Sequence, residues 1–245
     1  MNPLHKKTLL FACAAAVSVL PAYATDLLTN GSFTGTHGQL TVNTTLSGWT
    51  GGGKEGNFGS QTTPPVFVFN PGDTFVTGDA FMGSVGFYGT PSEPSGKNFV
   101  AADGDPAWAG SVSQTVAGLT VGHTYQLDFT WAGAQQQGFS GNTTESWQVS
   151  FGSDTQSTAT VNTPSQTFVG WQTASMTFTA TSTSQVLQFL AKGSPSGEPP
   201  WLLLSDASLQ DTTVTPPTVP EPATITLVLS GAGMLTGLVR FKRRS

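Results

Sequence analysis

Asp103-Gly104-Asp105 places two carboxylates on either side of one glycine, in a chain of 245 residues that carries few charges of any kind. Such a pair suits three kinds of chemistry. Hydrolysis of a glycosidic bond needs two carboxyls held about 5 to 9 Å apart across a cleft. A hard cation such as Ca²⁺ needs six to eight oxygens, some of them from loop acids. A hydroxyl-rich ligand needs only acceptors at the right height. Asp-Gly and Asp-Pro also form turns, so loop capping stands beside all three. Trp108 follows in Asp105-Pro106-Ala107-Trp108, and Trp201 ends Glu198-Pro199-Pro200-Trp201; both lie in loop-like sequence just before strand-like sequence. An indole face stacks on the apolar face of a sugar ring while nearby amides and carboxyls bond its hydroxyls. Trp108 and Trp201 are therefore the candidate stacking platforms, with Asp103, Asp105 and Gln136, from Gln135-Gln136-Gln137, as candidate hydrogen-bonding partners. Tryptophans that lid a core and a solvated glutamine run are the alternatives.

Other chemistry is poorly supplied. The single cysteine, Cys13, lies in the N-terminal apolar stretch, and beyond it the only histidines are His37 and His123, each alone on a loop or a turn. A thiol nucleophile, a histidine-based triad and a zinc site all lack their parts. No catalytic residue is assigned, and the expectation is a protein that is not an enzyme.

These side chains must be held by strands. Tyr125-Gln126-Leu127-Asp128-Phe129-Thr130-Trp131 is large and apolar at every second position, and Trp147–Phe151, Met176–Ala180 and Leu187–Ala191 alternate likewise. Turn signals separate them: Gly118 to Gly122, Gly152-Ser153-Asp154 and Gly193 to Gly197. Many short strands at this spacing predict an all-β sandwich or jelly roll. Trp131, Trp147 and Trp171, on or beside such strands, are expected in the core. Gly51 to Pro65 and Pro91 to Lys97 lack alternation and are expected as surface loops.

The two ends are different in kind. Lys6 and Lys7, the apolar run Leu9 to Leu20 and Ala22-Tyr23-Ala24 form the three parts of a secretion signal. About twelve apolar residues are too few to span a bilayer, which takes about 20, so the expectation is a signal peptide over 1–24, cleaved after Ala24. At the other end Pro220-Glu221-Pro222 precedes the apolar segment Ala223 to Val239 and the basic Arg240, Lys242, Arg243 and Arg244. That segment is at the short end of what crosses a membrane, and the basic residues belong on the cytoplasmic side. With both ends set aside, residues 25–219 hold three lysines, no arginine and thirteen acids, a net charge of −10. Nucleic acid and anionic polymers are poor partners for such a body.

The C-terminal trio resembles the PEP-CTERM sorting signal of Gram-negative bacteria. The resemblance implies a single transient transmembrane sorting helix in the inner membrane with the body in the periplasm, cleavage near Pro220-Glu221-Pro222 by an exosortase, and an association with exopolysaccharide. The implied partners are the export machinery, the exosortase and the inner membrane before processing; the destination is the cell surface or extracellular matrix. The body resembles the galactose-binding-like jelly rolls of carbohydrate-binding modules and DUF642-type secreted proteins. The landmarks are Leu28-Thr29-Asn30-Gly31-Ser32-Phe33 with Leu46-Ser47-Gly48-Trp49, Ser113 to Tyr125, and Leu203-Leu204-Ser205-Asp206-Ala207-Ser208-Leu209. In related modules an acid in the closing strand helps hold a structural Ca²⁺, which would make Asp206 a metal ligand; Thr34 stands where a second acid would be. The organisation expected is 1–24 signal peptide, 25–210 β-sandwich, 211–219 Thr/Pro linker and 220–245 sorting signal. The function expected is non-catalytic binding of neutral polysaccharide, with a protein-binding structural or adhesive role, or a glycan-active hydrolase, as alternatives.

Overall fold

The computed structural model describes residues 25–53, 63–89 and 91–213. Ala22, Ala24, Pro220, Glu221, Pro222, the apolar segment after them and the basic tail lie outside the described residues. Among the described residues there is no helix, and fourteen strands form three antiparallel sheets. The five N-terminal strands are β1 (Gly38–Gln39), β2 (Thr50–Gly53), β3 (Val66–Phe69), β4 (Phe75–Thr77) and β5 (Ser84–Gly86). The rest are β6 (Phe99–Asp103), β7 (Gly110–Ala117), β8 (Thr124–Gln135), β9 (Thr143–Phe151), β10 (Asp154–Ser157), β11 (Val161–Thr163), β12 (Phe168–Thr179), β13 (Ser184–Ser194) and β14 (Pro200–Asp211).

From β6 onward the chain crosses back and forth between two sheets, staying in the second for β9, β10 and β11. The first sheet runs β1-β3-β6-β14-β8-β12 and the second β10-β9-β13-β7-β2, with β11 also on β9. Stripped of β1, β2 and β3, the orders β6-β14-β8-β12 and β7-β13-β9-β10 are those of an eight-stranded jelly roll, which is the fold of this body. The middle landmark is the crossing between sheets: β7 ends, the turn from Gly118 to Gly122 reverses, and β8 begins at Thr124, followed by Tyr125, whose hydroxyl accepts the Thr120 N–H at 2.9 Å. The outer landmarks meet as well, since Leu27 N–H donates to the Leu209 carbonyl and Ala207 N–H to the Gly31 carbonyl, both at 2.9 Å.

The alternating residues do what their period demands. Tyr125, Leu127, Phe129 and Trp131 of β8 face Trp147, Val149 and Phe151 of β9 and Leu187, Phe189 and Ala191 of β13 in one core between the sheets. Phe189 is its hub, meeting Trp49, Phe129 and Trp147 with ring centroids 5.1–6.2 Å apart. A second apolar cluster occupies the opposite face of the first sheet. It joins Phe67, Phe69, Phe99, Ala101, Ala132, Ala134, Trp201 and Leu203 to Val76 and Val85, the inward residues of the β4–β5 hairpin. The hairpin is thus a roof over half of that sheet, and β3, β6 and the start of β14 are apolar on both faces.

Three expectations need correction. Gly51 to Gly53, taken as part of a loop, belong to strand β2 on the edge of β7; these glycines carry no alternation to read. Asp211, expected to begin the linker, closes β14 opposite Tyr125, and Thr212 N–H still donates to the Thr124 carbonyl. His37 and His123 are not alone: their Nδ1 atoms lie 3.0 Å from Asp73 and 2.7 Å from Asp211.

Candidate functional site

At one end of the first sheet, β6 stops, β8 stops and β14 starts, and the three ends sit side by side because Asp103 pairs with Trp201 and Pro200 with Gln135. The chain leaving β6 is gripped hard there. Gly104 N–H donates to the Pro200 carbonyl and Gly193 N–H to the Gly104 carbonyl, both at 2.7 Å. A Cβ on Gly104 would come within 2.7 Å of Leu202 and 3.0 Å of the Pro200 oxygen, so a side chain between the two acids would crowd both. Over these ends, under the tip of the β4–β5 hairpin, lies a cleft of about 380 Å³. Its lining includes Asp103, Asp105, Trp108, Gln136, Phe81, Phe139, Ser196 and Pro199, and among the described residues no cationic side chain.

Asp103 is only 4% exposed, with one carboxylate oxygen accepting the Asp105 N–H at 2.8 Å. Burial pushes its carboxyl up to about 7; the Asp105 N–H works against that shift and the neighbouring Asp105 charge works with it. Asp105 is fully engaged in holding loops. Its Oδ1 accepts from Ala107 N–H and the Ser196 hydroxyl, both at 2.8 Å, and its Oδ2 from Gly197 N–H at 2.6 Å. It staples the segment before Trp108 to the loop that leads into β14.

The indoles separate. Trp108 is half-buried at the mouth, 5.3 Å from the ring of Phe81, which is 43% exposed on the hairpin tip. Trp201 is wholly buried in the second cluster, 5.7 Å from Phe67 and 5.4 Å from Phe87. It is not a stacking platform. Its strand is apolar on both faces, so the indole had nowhere to go but inward. It still serves the cleft: Nε1–H donates to Oε1 of Gln136 at 3.0 Å, fixing that amide in the lining.

Asp79 sets the roof. Its Oδ1 accepts from Phe81 and Met82 N–H at 3.0 and 2.8 Å, and its Oδ2 from the Thr63 hydroxyl at 2.5 Å. Partial burial raises its carboxyl, and these three donors more than offset that, leaving it below the usual range. Phe81 and Phe139 were not singled out in the sequence because they stand in loops without period; only their size in polar surroundings was a signal.

Asp206 lies elsewhere, at the irregularity in β14 between Ser205 and Ser208, half-exposed and 2.5 Å from the Lys97 ammonium. Lys97 already neutralises it. Among the described residues no three His, Cys, Asp or Glu side chains group to hold a metal ion. Glu145 was also missed. It is completely buried between the sheets, accepting hydroxyl hydrogen bonds from Thr143 at 2.5 Å and Thr163 at 2.6 Å. Burial lifts its carboxyl to about 7, against the pull of those two hydroxyls.

No curated protein matches this chain in sequence. Solved structures that it resembles include a family 61 carbohydrate-binding module in complex with β-1,4-galactotriose, at 16% identity, covering 67% of this chain and 89% of that one, with a TM-score of 0.40. The CBM22-1 xylan-binding domain of Paenibacillus barcinonensis Xyn10C gives 13% identity, 72% and 92% coverage and a TM-score of 0.36. The N-terminal cellulose-binding domain of Cellulomonas fimi β-1,4-glucanase C gives 16%, 69% and 91%, and 0.32. At such scores the likeness is one of strand arrangement and carries nothing about ligands. The family model for the PEP-CTERM protein-sorting motif matches residues 218–244, and the chain carries that motif at its C-terminus.

Proposed function

We propose that this chain is an exported, exosortase-processed surface or matrix protein whose jelly roll binds neutral polysaccharide without cleaving it, at the cleft under the β4–β5 hairpin. The observation that carries the reading is the composition of that cleft. Aromatic faces from three separate loops, Phe81, Trp108 and Phe139, converge on a carboxyl and an anchored amide, with no cationic side chain among them. Flat apolar faces beside a few fixed polar groups suit the two-sided surface of a pyranose, and the two acids in the lining, Asp103 and Asp105, disfavour an anionic sugar. The sorting motif supports export and passage through the membrane before cleavage. Binding rather than hydrolysis is favoured because Asp105 spends both oxygens on Ala107, Ser196 and Gly197, which leaves Asp103 without a second carboxylate available for acid–base work.

The test is calorimetric titration of the full chain in detergent with the exopolysaccharide of the producing bacterium, beside a reducing-sugar assay. Saturable binding, weakened at least about tenfold by Trp108→Ala and without sugar release, is the expected result. No saturable heat, or sugar release abolished by Asp103→Asn, contradicts it.

A further inference from the structure

The β4–β5 hairpin buries Val76 and Val85 against the second cluster, and on its opposite face Phe75, Thr77 and Ser84 are exposed. That outer face is patterned. At its base Phe75 is half-exposed, its ring beside Gly86, the residue it pairs with across the strands. A Cβ on Gly86 would stand 2.5 Å from the Phe75 ring, so the bare glycine is what gives the ring room at this position. Two pairs further along, on the same face, Thr77 meets Ser84, their hydroxyls 3.4 Å apart and both exposed. At the tip comes Phe81, packed against Trp108 at the cleft. Aromatic face, hydroxyl pair and aromatic pair thus follow one another along a hairpin whose arms, at about 3.3 Å per residue, are roughly 10 Å long.

Resting on the reading of the cleft as a sugar site, we infer that the outer face of this hairpin is a second, accessory subsite, with Phe75 as its stacking platform. The occupant is the continuation of the same neutral polysaccharide chain beyond the cleft. Phe81, at the tip of the same hairpin, lines the cleft, and the hairpin bears no lysine or arginine that would call for an anionic ligand. The device discriminates by length: a single sugar gains only the cleft, whereas an oligosaccharide gains both.

Neutral β-1,4-linked gluco-, xylo- and galacto-oligosaccharides of one to six units are the probes, titrated calorimetrically into the full chain in detergent. Affinity for the series that binds rises with length in the parent. Phe75→Ala and Phe75→Leu lower affinity for the hexamer about five- to tenfold and leave the shortest binding member unchanged, while Phe75→Trp keeps the gain with length. Unchanged melting temperatures establish that the variants are folded. If all lengths weaken equally, if no length weakens, or if Phe75→Ala abolishes only capture of another protein, the accessory subsite is wrong. Loss of the Trp108→Ala effect on the shortest ligand instead overturns the cleft itself, so the two failures are distinguishable.

Discussion

Asp103 stands on the cleft floor, and its burial places its titration near pH 7. The ordinary value is 3.8, so between those limits the folded chain holds a proton that the unfolded chain has lost. Stability therefore falls as pH rises through that window and is greatest below it. Asp103→Asn keeps the acceptor for the Asp105 N–H and removes the buried charge. Thermal melts from pH 5 to pH 8 should show the parent losing several degrees and the variant losing less, at about 2–4 °C per kcal/mol for a body of this size. An unchanged slope would place the Asp103 titration outside this range. Trp201 offers a cleaner separation of roles. Trp201→Phe preserves the ring in the second cluster but removes the donor to Gln136, so it should cost only about 1–2 kcal/mol of stability. Affinity should fall nevertheless, because the amide loses its anchor; equal affinity would remove Gln136 from the site.

Among the strands, β9 shows how much could be read. Glu145 has the parity of Trp147, Val149 and Phe151, which face inward, so alternation alone put a carboxylate in the core. It went unnoticed because the periodic stretch was read only from Trp147 onward. The main core strands were legible for the same reason, as Tyr125 to Trp131 shows. Strands apolar on both faces, such as β14 at Pro200–Leu204, have no alternation and mimic a loop leading into a strand, which hid Trp201. The cleft was half legible: Asp103, Asp105, Trp108 and Gln136 were marked by type, whereas Phe81 arrives through a hairpin roof that no local pattern announces. Gly104 carries the consequence of that assembly. Gly104→Ala should cost about 1–3 kcal/mol by overpacking against Leu202 and the Pro200 carbonyl and should weaken ligand binding with it. Glu145→Gln should stabilise the chain above pH 7 and act little at pH 5, since its raised carboxyl, from 4.5 to about 7, has the same sign as Asp103. A variant less stable at pH 8 would mean that the two threonine hydroxyls outweigh the burial of charge.

For the molecule as a whole, six of nine basic residues lie in the two terminal segments, so address and working body differ sharply in charge. Processing near Glu221 should leave an acidic, cysteine-free jelly roll, and the mass of the mature C-terminus measures this directly; an intact basic tail on the exported protein would contradict it. The central claim is the cleft. Of the six tryptophans, Trp131, Trp147 and Trp201 are buried in the body and Trp108 stands at the cleft mouth. Two-dimensional NMR of the ¹⁵N-labelled indoles, with neutral exopolysaccharide added stepwise, therefore reads the site by residue. The Trp108 Nε1–H signal should move or broaden in a saturable way, with Trp201 following slightly through Gln136, while Trp131 and Trp147 hold still. Saturable binding that leaves Trp108 untouched would contradict the assignment of this cleft.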